Sequence, residues 1–379
     1  MYKLLSEIMY ENNNKINDLG KRLTVKLNLK GIQERDKKTI EKIGATRQYE
    51  RKSGDFIYGK QNFHKGCFAI IPSEYNNYVS SSDIPSFTFY KGFVPHYCYY
   101  FLSRENLYKA FENKMTGTGS KRLNQDSFLK YNILIPNENE QQKIAQFFSL
   151  LDHHIKLWER KLELYQLKKK YYLDKMFADK DIPELRFNQF FENLNLNKIE
   201  NLVLSMKSGG TPLSTKKEYY NGNINFLTIS DMDDKYIYKT DKFISKEGLD
   251  NSSSYTLSKN NLLISIYASL GKISINKIDV ALPQSIVGVI IDNSKLNLEF
   301  IYQYLIYKNK WFKLNAQIGS QPNINIETLK KMNIFFPELN EQQKIASFFE
   351  QNDKFINLCR FNIQKLKDRK KYYLNNLFI

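Results

Sequence analysis

An apolar stripe of helical period occurs twice along this chain. Ile144, Phe148, Leu151, Ile155, Trp158, Leu162, Tyr165, Lys169, Tyr172 and Met176 follow one another in alternating steps of four and three. That spacing predicts a long helix whose seam packs against another helix. The stripe returns 201 residues later as Ile345, Phe349, Asn352, Ile356, Cys359, Ile363, Leu366, Lys370, Tyr373 and Leu377. The polar seam residues Asn352, Lys169 and Lys370 read equally as register setters or as seam ends facing solvent.

The identities around the stripes also double. Pro136, Asn139-Glu140-Gln141-Gln142-Lys143-Ile144-Ala145, Phe147-Phe148, Asp152, Tyr171-Tyr172-Leu173 and Phe177 recur as Pro337, Asn340-Glu341-Gln342-Gln343-Lys344-Ile345-Ala346, Phe348-Phe349, Asp353, Tyr372-Tyr373-Leu374 and Phe378, without a gap. Chance does not align that many identities in one register, so the chain is two copies of one unit, a globular module followed by a helix. The expected boundaries are module one at 1–137, helical spacer one at 138–183, module two at 184–338 and helical spacer two at 339–379. Asn139 and Asn340 are the expected helix caps, with Glu140 and Glu341 at the positive end of the helix dipole. Each helix must return the chain to a module, so an antiparallel coiled-coil pair with a quasi-twofold axis is the economical arrangement.

The modules read as mixed α/β (α+β) with short strands. In module two the strand-like runs are 223–229, 261–266 and 285–291, then a helix over 298–314 and a last strand at 333–336. The matching pieces of module one are strands at 55–58, 67–71 and 86–90, a helix near 97–111 and a last strand at 132–135. The module interiors have diverged far more than the helices, which suggests one frame carrying two different readers.

Composition narrows the partner. Lysine plus arginine number 57 against 40 acidic residues, a net charge of +17, which calls for an anionic partner. Heavy use of Asn, Lys, Ile and Tyr also fits an AT-rich coding sequence, which accounts for part of the lysine excess. No apolar run approaches the roughly 20 residues of a membrane span, and Met1-Tyr2-Lys3-Leu4-Leu5-Ser6-Glu7 does not read as a signal peptide. Nucleic acid and a cytoplasmic location are therefore expected. Cys67, Cys98 and Cys359 lie too far apart in sequence for a CxxC or metal pattern and read as buried thiols.

Catalytic signatures are missing. There is no Walker A pattern and no Pro-Pro pair, so neither a phosphate-driven engine nor the Asn/Asp-Pro-Pro-aromatic motif of amino-methyltransferases is encoded. Gly117-Thr118-Gly119 is too short for a cofactor loop. Asp233-Asp234-Lys235 matches only the end of a nuclease motif, and His153-His154 lacks the further ligands a zinc site needs. No metal site and no bound cofactor are expected.

Polar and basic turns offer DNA contacts instead. In module one, Lys60 and Lys65 can meet phosphates, while Gln61 and Asn62 carry the paired donor and acceptor that match adenine. Ser81 and the turn residues Lys121 and Arg122 join them. In module two the candidates are Gly210, Thr211, Lys216, Lys217, Tyr219, Tyr267, Ser269, Lys272, Gln284, Ser320, Gln321 and Asn323. Each alone also reads as an ordinary polar turn.

The doubled Pro-x-x-Asn-Glu-Gln-Gln-Lys-Ile-Ala-x-Phe-Phe with its downstream Asp, the opening Pro183-Glu184-Leu185-Arg186-Phe187, the Gly-Gly-Thr-Pro loop at 209–212 and the turn Gly319-Ser320-Gln321-Pro322-Asn323-Ile324 together resemble the specificity subunit of a type I restriction–modification system, over essentially the whole chain. The resemblance implies a non-catalytic DNA-binding subunit with two target recognition domains, each reading half of a bipartite double-stranded target. It implies antiparallel helices that fix the gap between half-sites and dock two methyltransferase subunits; Ile144, Phe147, Phe148, Ile155, Trp158, Ile345, Phe348, Phe349 and Ile356 are the expected residues of the interface, either between the helices or with those subunits. It also implies that partners use S-adenosylmethionine, ATP and Mg²⁺, the last two through up to two motor-nuclease subunits. Module one is about two dozen residues shorter than module two, and the family's usual opening segment is not evident before Leu19; a shorter recognition domain and a truncated start both fit. Two rival readings are a stand-alone DNA-modifying enzyme and a scaffold or decoy that binds methyltransferase but not DNA.

Overall fold

A computed structural model describes residues 1–16, 21–35, 47–117, 120–267, 269–317 and 322–378. The chain forms two units that interleave in sequence. Unit 1 is Met1–Arg160 with Arg360–Ile379, and unit 2 is Lys161–Cys359. The two long helices, Glu138–Met176 and Leu339–Asn376, each contribute to both units, so each unit takes the first half of one helix and the last half of the other.

Both units are built around an antiparallel sheet with the same start. In unit 1 the order is Met9–Glu11, Ser86–Phe89, Phe56–Tyr58, Phe68–Ile70. In unit 2 it is Val203–Ser208, Ile286–Ile291, Leu262–Ser265, Ile273–Asn276, with Tyr236–Ile237 added in parallel at the far edge. Phe56–Tyr58, Leu262–Ser265 and Ile286–Ile291 are buried on both faces, which is why they read as apolar runs rather than as strict alternation. A separate antiparallel pair closes each module: Tyr2–Leu4 with Asn132–Leu134, and Asn195–Lys198 with Asn333–Phe336. Smaller sheets flank both units.

The last strand of each module runs through its proline directly into a long helix. Asn137 caps the first of these, its Oδ1 accepting from the Glu140 N–H at 3.0 Å. Asn139 and Asn340 therefore lie inside the first turn and are not the caps, because each helix begins as soon as the proline has ended the strand. The strand expected over 223–229 is paired only at Ile224–Phe226, since the chain then turns into a short 3₁₀ segment at Ile229–Asp233. The helix expected near 97–111 is two, Pro95–Leu102 and Glu105–Ala110. The Ser103 hydroxyl bonds back to the Tyr99 carbonyl at 2.7 Å, an alternative to the helical ladder that favours a break. Its counterpart over 298–314 also splits, into Leu298–Tyr307 and Asn309–Leu314.

One glutamine anchors each long helix to its own module. Gln141 is buried; its Oε1 accepts from the Val94 N–H at 3.0 Å and its Nε2 donates to the Pro136 carbonyl at 3.0 Å. Gln342 does the same with the Asn297 N–H at 2.8 Å and the Pro337 carbonyl at 2.9 Å, and adds the Lys295 carbonyl at 2.9 Å. The duplicated Gln-Gln thus has a physical basis: a buried carboxamide ties the helix start to the loop that launches the module's own helix.

The seam positions face inward. In unit 1, Phe148 stacks on Phe378 and packs at a tilt against Tyr100, and Phe147 meets Tyr373 edge-on. In unit 2, Phe349 stacks on Phe177, and Tyr172 meets Phe348 edge-on. Of the twenty seam residues only Leu377 is exposed, its place in the core taken by Leu374 and Phe378. The two polar seam lysines are paired. Lys370 Nζ reaches Asp152 Oδ1 at 2.6 Å in unit 1, and Lys169 Nζ reaches Asp353 Oδ1 at 2.7 Å in unit 2. Tyr100 also donates to Asp152 at 2.9 Å; burial and that carboxylate push its hydroxyl well above the ordinary tyrosine range. Asp353 accepts in addition from Gln303 at 2.9 Å and Lys235 at 3.3 Å.

Phe349 is fully buried against Phe177. Phe349→Ala is expected to lower stability by about 3–5 kcal/mol, read as a shift of the denaturant midpoint; an unmoved midpoint would contradict this packing.

Candidate nucleic-acid interface

In unit 2 the loops at one end of the main sheet are joined by main-chain hydrogen bonds. The Gly209 N–H donates to the Pro283 carbonyl at 3.2 Å, the Ile266 N–H to Ser285 at 3.0 Å and the Ile324 N–H to Ile266 at 3.1 Å. Four sequence-distant segments, carrying Thr211, Tyr267 with Ser269, Gln284, and Asn323, are thereby brought together. Thr211, Ser269 and Gln284 are exposed and Tyr267 is half-buried. Asn323 closes a turn on Gln317, whose N–H donates to its carbonyl at 2.8 Å.

The glycines of this cluster are structural. A Cβ on Gly209 would collide with the Leu282 carbonyl, and one on Gly210 would lie 2.8 Å from Ser253 Cβ. Gly210 is buried, so its part is to let the backbones meet. Lys272 is committed inside the unit: its Nζ pairs with Asp233 and donates to the Ile229 carbonyl at 3.4 Å. Tyr219 is buried, and its hydroxyl accepts from Lys216 Nζ at 2.9 Å. Lys216 and exposed Lys217 sit on a neighbouring turn, tied to the Thr211 loop by the Tyr220 hydroxyl on the Pro212 carbonyl at 2.6 Å. Ser320 and Gln321 lie outside the described residues.

Unit 1 repeats the arrangement with other side chains. The Tyr58 N–H donates to Pro85 at 3.2 Å, the Lys60 N–H to Asp83 at 3.0 Å and the Leu123 N–H to Lys60 at 2.9 Å. The turn between Thr116 and Arg122 is bridged like that between Gln317 and Asn323, again 201 residues apart. Lys60, Gln61, Asn62 and Lys65 on one loop therefore meet Lys121 and Arg122 on another. Arg122 Nη1 pairs with Asp83 Oδ1 at 3.1 Å, and Lys121 approaches Glu112 at 3.9 Å. Burial lowers the Lys60 amine below the ordinary lysine value, and Asp83 opposes that. Gln61 and Lys65 are exposed, Asn62 is half-buried, and Ser81 is half-buried at the end of strand Tyr78–Ser81.

Sequence reasoning missed Asp83, which links two of the candidate loops, and the anchoring pairs Thr116–Arg122 and Gln317–Asn323 as pairs. The constant offset of 201 was the available signal for the second. The interface of unit 1 is rich in cations and suits phosphate contact. That of unit 2 presents mainly neutral hydroxyl and amide groups, which suit base edges. Asp233-Asp234-Lys235 is occupied structurally, with Lys235 Nζ on Glu299 at 2.7 Å. Among the described residues no cluster of His, Cys, Asp or Glu could hold a metal ion, and no helix is long and apolar enough to cross a membrane.

The helix residues expected at an interface face their own units. Phe148 and Ile155 are buried in unit 1, with Ile144, Phe147 and Trp158 half-buried; Ile345, Phe349 and Ile356 are buried in unit 2, with Phe348 half-buried. Other apolar residues stay outside. In unit 1 these are Leu150, Leu157, Phe361 and Tyr372; in unit 2 they are Leu164, Leu167, Tyr171, Phe355 and Leu358.

Comparison with known proteins finds the same doubling. The family model described as "Type I restriction modification DNA specificity domain" matches residues 8–164 and again 192–368. The MjaVIII type I restriction enzyme specificity subunit of Methanocaldococcus jannaschii is 23% identical over 298 residues, 74% of this chain and 68% of that protein. Among solved structures, the type I restriction–modification S subunit from M. genitalium aligns over 100% of this chain and 96% of its own, at 13% identity and a TM-score of 0.67. A chain solved in work on complex assembly and conformational transition of the type I R-M system aligns over 100% of this chain and 97% of its own, at 15% identity and a TM-score of 0.59.

Gly209→Ala must push the Leu282 carbonyl away. Overpacking of this kind is expected to cost about 1–3 kcal/mol, seen as a lower thermal midpoint; a midpoint equal to that of the unsubstituted chain would refute the close approach.

Proposed function

Because this chain belongs to the type I restriction–modification DNA specificity family, we propose that each of its units reads one half of a bipartite duplex target through its converging loops. The observation that carries this reading is the repeated stitch: equivalent loops are held together by equivalent main-chain bonds in both units, yet present different side chains. A shared frame with unlike surfaces suits a target whose halves differ.

The two long helices act in this reading as an antiparallel coiled-coil spacer with a quasi-twofold axis. The reciprocal pairs Lys370–Asp152 and Lys169–Asp353 support it, since each lysine of one helix meets the matched aspartate of the other. The exposed apolar residues of the helices, Leu150 and Leu157 in unit 1 and Leu164, Leu167 and Tyr171 in unit 2, would dock two methyltransferase subunits. Those partners would bring S-adenosylmethionine and the adenine-modifying site, and up to two motor-nuclease subunits would use ATP and Mg²⁺. The chain itself then needs no catalytic group and works in the cytoplasm. Lys60, Lys65, Lys121 and Arg122 would grip phosphates, with Gln61, Asn62 and Ser81 beside them. Thr211, Tyr267, Ser269, Gln284, Ser320, Gln321 and Asn323 would face bases, flanked by Lys216 and Lys217.

The test is to express the full chain with a methyltransferase partner and map modified adenines across a genome. A two-part motif with a constant gap is expected, and a contiguous motif would overturn the reading. Gln284→Ala with Asn323→Ala should relax one half of the motif only. Lys65→Ala should weaken binding to all sequences alike and reduce the slope of log affinity against log salt by about 1.

A further inference from the structure

Arg51 heads the largest fully buried side chains, at 1% exposure. Its guanidinium is fully used. Nε donates to Ser80 Oγ at 2.7 Å, Nη1 to the Asn12 carbonyl at 3.0 Å and Ser86 Oγ at 3.3 Å, and Nη2 to the carbonyls of Ile84 at 2.9 Å and Ser81 at 3.4 Å. Among the described residues no carboxylate forms an ion pair with it. Asp55 is reached through two bridging residues: the Ser86 hydroxyl and the Asn12 side-chain amide each donate to Asp55 Oδ2 at 3.0 Å. Burial pulls the Arg51 guanidinium down to about 10.

A buried charge whose counter-charge is reached only through bridging groups is a costly way to fill a core, and an apolar side chain of similar volume would do it more cheaply. What an apolar side chain cannot do is hold several acceptors at fixed angles. Three of the five acceptors, Ser80 Oγ and the carbonyls of Ser81 and Ile84, belong to the turn that presents Asp83 and Pro85. That turn receives the Lys60 and Tyr58 N–H groups and pairs with Arg122. In unit 2 the matching segment is held by the approach of Gly209 to Pro283 and Leu282.

We propose that Arg51 is a positioning residue for DNA recognition by unit 1: its planar fork fixes the Ser80–Pro85 turn and, through it, the Lys60–Lys65 loop and Arg122. The proposal rests on the function proposed above and adds a residue that does not itself touch DNA. Lysine cannot replace it, because an ammonium lacks the rigid fork.

The test selects bound duplexes from a randomised pool with the full chain in its methyltransferase complex. Arg51→Lys should reduce base selection in one half-site by about 10-fold, within the range of a lost base contact, and leave the other half-site unchanged. Ser80→Ala removes the Nε acceptor together with the Ser80 hydroxyl's own bond to the Ile84 carbonyl at 2.7 Å; it should weaken selection in the same half-site to a smaller degree. Thr88→Val removes a bond to Asp55 Oδ1 on the side away from the turn; it should lower the thermal midpoint and leave selection intact. Wild-type selection in both half-sites for Arg51→Lys or for Ser80→Ala would overturn the proposal. So would an equal loss in both half-sites, or a loss with Thr88→Val matching that of Ser80→Ala. An unsubstituted complex that selects no bases at all would instead overturn the proposed function, and this inference with it.

Discussion

A carboxamide buried in the first turn of a helix has few places to send its hydrogen bonds, and that constraint organises this protein. Gln141 and Gln342 each satisfy theirs on the main chain of their own module. Leaving such a group unpaired would cost roughly 1–3 kcal/mol, so the start of each long helix has one permitted position relative to the sheet it follows. Asp152 and Asp353 lie three turns further along, where the helical repeat returns them to the same face. There they meet Lys370 and Lys169. A module is thus fixed to a helix, and within each unit that helix is fixed to its partner by a matched charge.

With the frame set, the loops at the sheet end can differ. Their mutual placement comes from N–H and carbonyl groups, which every residue but proline supplies in full. Unit 1 fills the resulting surface with lysine and arginine, partly restrained by Asp83 and Glu112. Unit 2 fills it with threonine, serine, tyrosine and amides, and commits its Lys272 to Asp233. Cations on a phosphate backbone give affinity that falls with salt, whereas amides and hydroxyls on base edges give discrimination.

Much of this was readable in the sequence because packing imposes a period. Phe148, Ile155, Phe349 and Ile356 are buried where the four–three spacing put them, and the strand runs at 55–58, 67–71, 261–266 and 285–291 form the main sheets. The helix caps were displaced because Asn137, lacking a matched partner at Glu338, carries no repeat signal. The break at Ser103 was hidden because a hydroxyl bonding back to Tyr99 leaves the apolar pattern untouched. The convergence of the candidate loops was invisible residue by residue, since carbonyls such as Pro283 and Asp83 hold them. Tyr219 looked like a surface aromatic beside two lysines; the approach of Gly248 to its backbone, which encloses it, lies 29 positions downstream.

The two ways of fastening a loop carry different evolutionary liabilities. Where main-chain groups alone hold the surface together, as around Pro283 and Ile266, the outward side chains can be exchanged one at a time without dismantling what supports them. New surfaces are then reachable by single substitutions. The turn after Ser80 shares such main-chain bonds but is held in addition by a buried guanidinium, so change there is constrained by that arginine and its acceptors as well. Within one gene, then, the loop surface of one lobe is free to drift while that of the other is more closely tethered to its ancestor.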